Sequence, residues 1–120
     1  MITLEQLLVI IPLPDSERLR LFEISEQVSL GGRMHIMDSC WKLLQTDFEA
    51  KWLEGGQRIM EEGKRNRRIN VDKELEDLPG HIAADYIVTL SSVDPTVKKS
   101  QQVATEIFKD VYYHLIAIKE

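Results

Sequence analysis

The chain has 120 residues, of which 43% are hydrophobic and 29% charged, an ordinary globular composition that argues against extensive disorder. Its formal net charge of −5 argues against a surface that binds nucleic acid as a whole. The single cysteine, Cys40, cannot form an internal disulfide, and the apolar run near the N-terminus is too short to cross a membrane. We therefore expect a single cytoplasmic domain over residues 1–120 with no membrane segment.

Two short helices are predicted before residue 30. Thr3 and Gln6 have the spacing of a capping box and open a helix that ends at about Ile11, before two prolines. The apolar run within it is β-branched enough for a strand to remain an alternative. A second helix is predicted over roughly 15–29, and Gly31-Gly32 then marks either a break or a close helix contact.

The longest predicted element is a central helix over about 33–62. Its apolar residues recur at alternating steps of four and three, which is one stripe along a helix: Leu30, Met34, Met37, Trp41, Leu44 and Phe48. One unbroken helix over 33–65 would be about 50 Å long, whereas a compact domain of this size is about 35 Å across. Either Gly55-Gly56 breaks the helix, which two glycines at about 1 kcal/mol each would favour, or the helix protrudes and another chain covers it.

The second half of the chain predicts two further helices. Residues 72–78 read as an acidic helical turn, closed by Pro79 and the glycine after it. Pro79 is also suited to begin the next helix, about 79–92, for which a strand is again the alternative. Pro95 begins the last helix, about 95–118, which should return antiparallel because the connection is short. The predicted fold is an all-α bundle of about five helices around the central one.

Large apolar side chains along the central helix are the candidate partner-binding residues: Met34, Met37, Trp41 and Trp52. The first interpretation of these residues is that they form the core. If one end of the helix were exposed, they would instead line an adaptable, methionine-rich groove for a partner.

A basic run is the most distinct charged feature, and its members are Lys64, Arg65, Arg67 and Arg68. Cations complement the dipole at a helix C-terminus, with Gly63 as the stop, and this is the first interpretation. The alternative is a site for phosphate or for an acidic partner. No aromatic residue interleaves the run, which argues against stacking on nucleic acid. The acidic stretch that follows, residues 69–85, could neutralise the run in space.

Two groups of polar residues are candidates for a reactive site. His81, Glu106, Asp110 and His114 would allow a carboxylate and imidazole metal cluster between two helices, but the Glu-x-x-His spacing of di-metal bundles is absent. His35 and Ser39 are four residues apart beside Asp38 and Cys40, but Asp38 is not placed on the helix for a clean triad and no oxyanion loop is visible. We therefore assign no catalytic residue, metal or cofactor.

The absence of a reaction motif and the length of the apolar central helix together favour a non-enzymatic protein-interaction module. Such a small adaptor, regulator or inhibitor would bind another protein or a second copy of itself. A protein that binds nucleic acid or phosphate through residues 64–68 is the alternative, and a helical-bundle metalloprotein is the third hypothesis.

Overall fold

All regular structure in the computed structural model is helical, as the periodicity predicts. The structure describes residues 1–117, which contain six helices and no strand. The helices are α1 (Leu4–Ile10), α2 (Asp15–Gln27), α3 (Leu30–Arg65), α4 (Val71–Val93), α5 (Pro95–Lys99) and α6 (Gln101–Ala117). The predicted all-α bundle is confirmed, and both strand alternatives are wrong.

The central helix α3 is continuous and longer than predicted. It has 36 residues, which is about 54 Å at 1.5 Å per residue. The molecule measures 55 × 28 × 28 Å, so α3 runs along its full length. The radius of gyration is 16.3 Å, against about 14 Å for a compact chain of this size. Of the two alternatives, a break at Gly55-Gly56 is wrong, because the helix is continuous and the molecule is elongated.

Two glycines inside α3 allow α4 to approach closely. A Cβ atom on Gly55 would lie 3.0 Å from Cδ1 of Leu78, and a Cβ atom on Gly63 would clash with Cγ2 of Val71. Gly63 lies within the helix, so its predicted role as the C-terminal stop is wrong. Asn66 is the C-cap residue instead.

Of the two alternatives for Gly31-Gly32, a break is also wrong, because both glycines lie in the first turn of α3. Ser29 is the N-cap residue, and its Oγ accepts a hydrogen bond from the N–H of Gly32 at 3.3 Å. A Cβ atom on Gly32 would lie 2.9 Å from Cβ of Val28, so this glycine permits a close contact with the end of the preceding segment.

The N-terminal segment is tied to the far end of the chain. The predicted capping box of Thr3 and Gln6 is confirmed. The backbone N–H of Ile2 donates to Oδ2 of Asp110 at 2.7 Å, and Nε2 of Gln6 donates to Oδ2 of Asp94 at 3.1 Å. The hydrogen bond from Gln6 holds the pKa of Asp94 below its ordinary value. These contacts fix α1 against the bundle, where its apolar face is buried.

One helix, α4, replaces the two elements predicted over 72–78 and 79–92. Pro79 lies inside it and has no N–H, so the carbonyl of Leu75 lacks its usual helical donor. An interior proline costs about 3 kcal/mol in a helix. Pro79 is buried, and α4 packs against α3 on both sides of it, which offsets that cost.

The helix predicted over 95–118 is divided in two at Ser100. Asp94 caps α5 and Pro95 begins it, as predicted. Oγ of Ser100 accepts a hydrogen bond from the N–H of Val103 at 3.2 Å and so opens α6 as a separate helix. Ile118, predicted to end the last apolar stripe, lies outside the described residues.

The α3–α4 pair is enclosed over only part of its length. Three contacts show that the two helices run antiparallel: Asp47 with Tyr86, Gly55 with Leu78, and Gly63 with Val71. Both α1 and α6 pack against the pair, and this enclosed part is called the body. Within the described residues, no side chain from 49 to 78 is buried, and this two-helix extension is called the arm. No helix within residues 1–117 is both long and apolar enough to cross a bilayer.

The glycines of the hairpin predict opposite stability effects. A Cβ atom on Gly80 would meet nothing within 4 Å, so Gly80→Ala should raise the free energy of unfolding by about 0.5–1 kcal/mol. Gly63→Ala should lower it by about 1 kcal/mol, because the clash with Val71 outweighs the gain in helix propensity. Urea unfolding followed by circular dichroism measures both. Shifts of the same sign would contradict the assigned helix contacts.

Candidate protein-interaction surface

An apolar groove lies on the arm. Its volume is about 710 Å³, and it is lined by Trp52, Leu53, Gly56, Gln57, Met60, Glu61 and Leu75. Leu53 is 68% exposed and Met60 is 49% exposed, so both side chains are available to contact another molecule. Leu53, Gly56 and Met60 are separated by steps of three and four, so they share one face of α3. The methionine gives this surface an adaptable apolar side chain.

One edge of the groove, at Trp52, lies on a face of α3 that another helix covers in the body. Trp41 and Trp52 are eleven residues apart, which is about three helical turns, so they lie on the same face. The ring of His114, in α6, stacks on Trp41 with centroids 4.1 Å apart and planes 7° apart. At Trp52, three turns further along α3, the same face lines the groove. Trp52 therefore continues the surface on which α6 packs, and Leu53 and Met60 lie beside that surface.

Gly56 forms the floor of this groove. A Cβ atom on Gly56 would have one neighbour, Cδ2 of Leu75 at 3.8 Å, which is an ordinary van der Waals distance. Gly56 therefore differs from Gly55 and Gly63, whose missing side chains allow α4 to approach. Helix packing among the described residues does not explain a glycine at this position, although it weakens the helix by about 1 kcal/mol.

The basic run lies at the tip of the arm. Lys64 and Arg65 are in the last turn of α3, where they complement the helix dipole as predicted, and Arg67 and Arg68 follow in the turn. All four side chains are exposed, and none takes part in an ion pair among residues 1–117. The acidic stretch that follows therefore does not form direct ion pairs with them among the described residues.

The four candidate partner-binding residues are not brought together. Trp41 is 6% exposed and belongs to the core, as its first interpretation holds. Trp52 lines the groove of the arm. Met34, which is 61% exposed, and Met37 line a smaller groove of about 390 Å³ beside Leu30, at the opposite end of α3. Met34 and Trp52 are separated by about 27 Å along the helix.

The proposed metal cluster does not form within the described residues. Asp110 accepts from the N–H of Ile2, and Nδ1 of His114 lies 3.0 Å from the carbonyl oxygen of Asp110. His114 packs at the level of Trp41, whereas His81 lies near Gly55 at the base of the arm. That separation is about 21 Å along α3. No group of three or more His, Cys, Asp or Glu side chains among these residues could hold a metal ion.

The residues considered for nucleophilic chemistry have structural roles. Oγ of Ser39 donates to the carbonyl oxygen of His35 at 3.1 Å, a common bond within a helix. Cys40 is 1% exposed, and burial raises the pKa of its thiol to about 11. The thiol is therefore protonated at neutral pH and serves as a small apolar group in the core.

Cys40 should accordingly resist alkylation. At pH 8 a thiol with an ordinary pKa of 9.0 is about 10% thiolate, whereas one with a pKa of about 11 is about 0.1% thiolate. We expect iodoacetamide to modify Cys40 about a hundredfold more slowly in the native protein than in urea. Mass spectrometry of timed samples measures both rates, and equal rates would contradict the buried position of Cys40.

Sequence reasoning identified Trp52 but missed Leu53, Gly56, Met60 and Leu75. A signal for two of them was present, since Leu53 and Met60 are seven residues apart and so share one side of the helix. They lie beside the main apolar stripe rather than on it. Comparison of the chain with family models, curated proteins and solved structures finds no match in any of the three.

Proposed function

We propose that this protein is an interaction module whose arm binds an amphipathic helix of another protein chain. One observation carries the proposal: the apolar groove formed by Trp52, Leu53, Met60 and Leu75 over the floor of Gly56. An amphipathic helix with apolar residues at steps of three and four is a common ligand of such grooves. The module would act by binding, as an adaptor, regulator or inhibitor does, without a reaction of its own.

The body of the molecule supports a helix as the ligand. There α6 packs across the α3–α4 pair, and His114 stacks on Trp41 of the same helix face. A helix from another chain would pack on the arm beside the continuation of this face and would bury Leu53 and Met60. Burying a large apolar side chain fully contributes about 1.5–3 kcal/mol each.

The basic tip supports an acidic residue in the ligand helix. Lys64 lies one turn beyond Met60, on the side of α3 that carries Leu53. Its side chain is exposed and takes part in no ion pair among the described residues. A carboxylate near one end of the bound helix would pair with it. Because such a contact is solvated, it would set orientation more than affinity.

A library of amphipathic helices displayed on phage tests the proposal. We expect panning against the full-length protein, immobilised sparsely, to enrich helices with apolar residues at steps of three and four. Leu53→Asp should weaken their binding about tenfold or more. The matched control is Val88→Asp in the body, since Val88 is 67% exposed and Leu53 is 68% exposed. Circular dichroism should show that both variants are folded.

Two results would overturn the proposal. The first is a library that yields no such helix. The second is a set of selected helices that bind Leu53→Asp as tightly as the wild type and Val88→Asp. Either would mean that the arm groove is not a site for a helix.

Phosphate binding is a second candidate function, favoured by four exposed cations within five residues at the tip of the arm. If this candidate holds, an oligonucleotide should bind less tightly as the salt concentration rises, because bound phosphate releases counterions. Binding should also fall when Arg67→Ala and Arg68→Ala are combined. An affinity that changes with neither the salt concentration nor this double substitution would contradict phosphate binding as a function.

A further inference from the structure

We infer that the helix bound in the arm groove is α3 of a second copy of this chain, antiparallel, with Gly56 of one copy against Gly56 of the other. The inference rests on the proposed function, because it names the occupant of the same groove. Three observations carry it: the apolar pattern around Gly56, the charges one turn further out, and the open space above Gly56.

The apolar pattern around Gly56 is self-complementary. In an antiparallel pair whose two-fold axis passes between Gly56 and Gln57, residues equally far before and after the axis lie level with each other in the two copies. Leu53 and Met60 are each three and a half positions from this axis, and both lie on the groove face of α3. Leu53 therefore meets Met60 of the second copy.

This contact occurs twice, because the two copies are related by a two-fold axis. Leu53 is 68% exposed and Met60 is 49% exposed, so both side chains are available for it. Gln57 also lines the groove beside the axis, where its side-chain amide can donate to and accept from Gln57 of the second copy.

The charges at the ends of this stripe are also complementary. Glu49 lies seven positions before Gly56 and Lys64 eight positions after it, on the same side of α3 as Leu53. Glu49 of one copy therefore meets Lys64 of the other at each end of the pair. Both side chains are exposed, and none of the ion pairs among residues 1–117 includes either of them.

A second copy also accounts for the glycine at position 56. The nearest atom to a Cβ on Gly56 is 3.8 Å away, so no described neighbour requires a glycine there. Two helices that cross at glycine residues approach more closely than helices that cross at larger residues, because no side chain separates the backbones. The position with the smallest side chain lies beside the axis of the proposed pair, where the two helices are closest.

Sedimentation equilibrium of the full-length protein, from roughly 1 µM to 1 mM, tests the inference. We expect a reversible monomer–dimer equilibrium. Gly56→Ala should weaken the dimer about tenfold, because two methyl groups now separate the helices. The same variant should unfold at higher urea, since alanine favours the helix and meets no clash. Gly80→Ala, which stabilises the helix away from the groove, is the matched control and should leave the dimer unchanged.

A charge exchange tests the antiparallel orientation. Glu49→Lys and Lys64→Glu should each weaken the dimer about fivefold, since each variant places like charges together twice. A mixture of the two variants should associate as tightly as the wild type, because both contacts are then between opposite charges. A parallel pair would place Glu49 against Glu49 and Lys64 against Lys64 in the wild type already, so neither single variant would weaken it.

The outcomes separate this inference from the proposed function. If the protein is a monomer at all concentrations, a second copy is not the occupant of the groove. If the helices selected from the library still require Leu53 for binding, the proposed function nevertheless stands. A dimer that Gly56→Ala and Leu53→Asp do not affect would place self-association on another surface and would also overturn the inference. If neither helices nor a second copy depend on Leu53, both conclusions fail together.

Discussion

The packing of α3 against α4 is the contact on which the rest of the structure depends. In the body, α1 and α6 enclose this pair, and the apolar stripe of α3 becomes the centre of the core. In the arm the same two helices continue alone, with Gly55 and Gly63 allowing α4 to lie close. The arm therefore has one apolar contact surface where the body has several. Its other apolar face is the groove, and this difference between arm and body is the basis for assigning a binding role.

The sequence predicted features that depend on neighbours within a few residues. The stripe from Leu30 to Phe48 follows from helical periodicity, and the capping box of Thr3 follows from side-chain chemistry over one turn. The glycine pair and Pro79 were harder to interpret from the sequence. Two glycines are compatible with a helix break or with a continuous helix, and a proline can end one helix or begin the next. Gly55 is a contact point because Leu78, 23 residues later, packs against it. Pro79 is tolerated because α4 packs against α3 on both sides of it, so tertiary contacts override its intrinsic preference.

The candidate site was predicted only in part, for a reason visible in the two tryptophans. Trp41 and Trp52 lie on the same face of α3 and were equivalent candidates in the sequence. They differ because α6 packs on the face at Trp41, where His114 stacks. The position of α6 along α3 depends on the residue at which α6 begins. The cap at Ser100 determines that residue, because it divides the predicted last helix in two. Periodicity alone carries no such information.

The arm also collects the residues that stabilise helices least. Gly55, Gly56 and Gly63 of α3 lie within it, and Pro79 and Gly80 of α4 lie at its base. Together they lower helix propensity where burial is also lowest, so the arm should open more readily than the body. A ligand that binds only the closed arm stabilises it by mass action. Binding would thus supply the arm with the apolar burial that its own fold lacks. The exposed groove and the residues that weaken the helices are therefore linked, because a ligand in the groove would stabilise the part of the fold that is least stable alone.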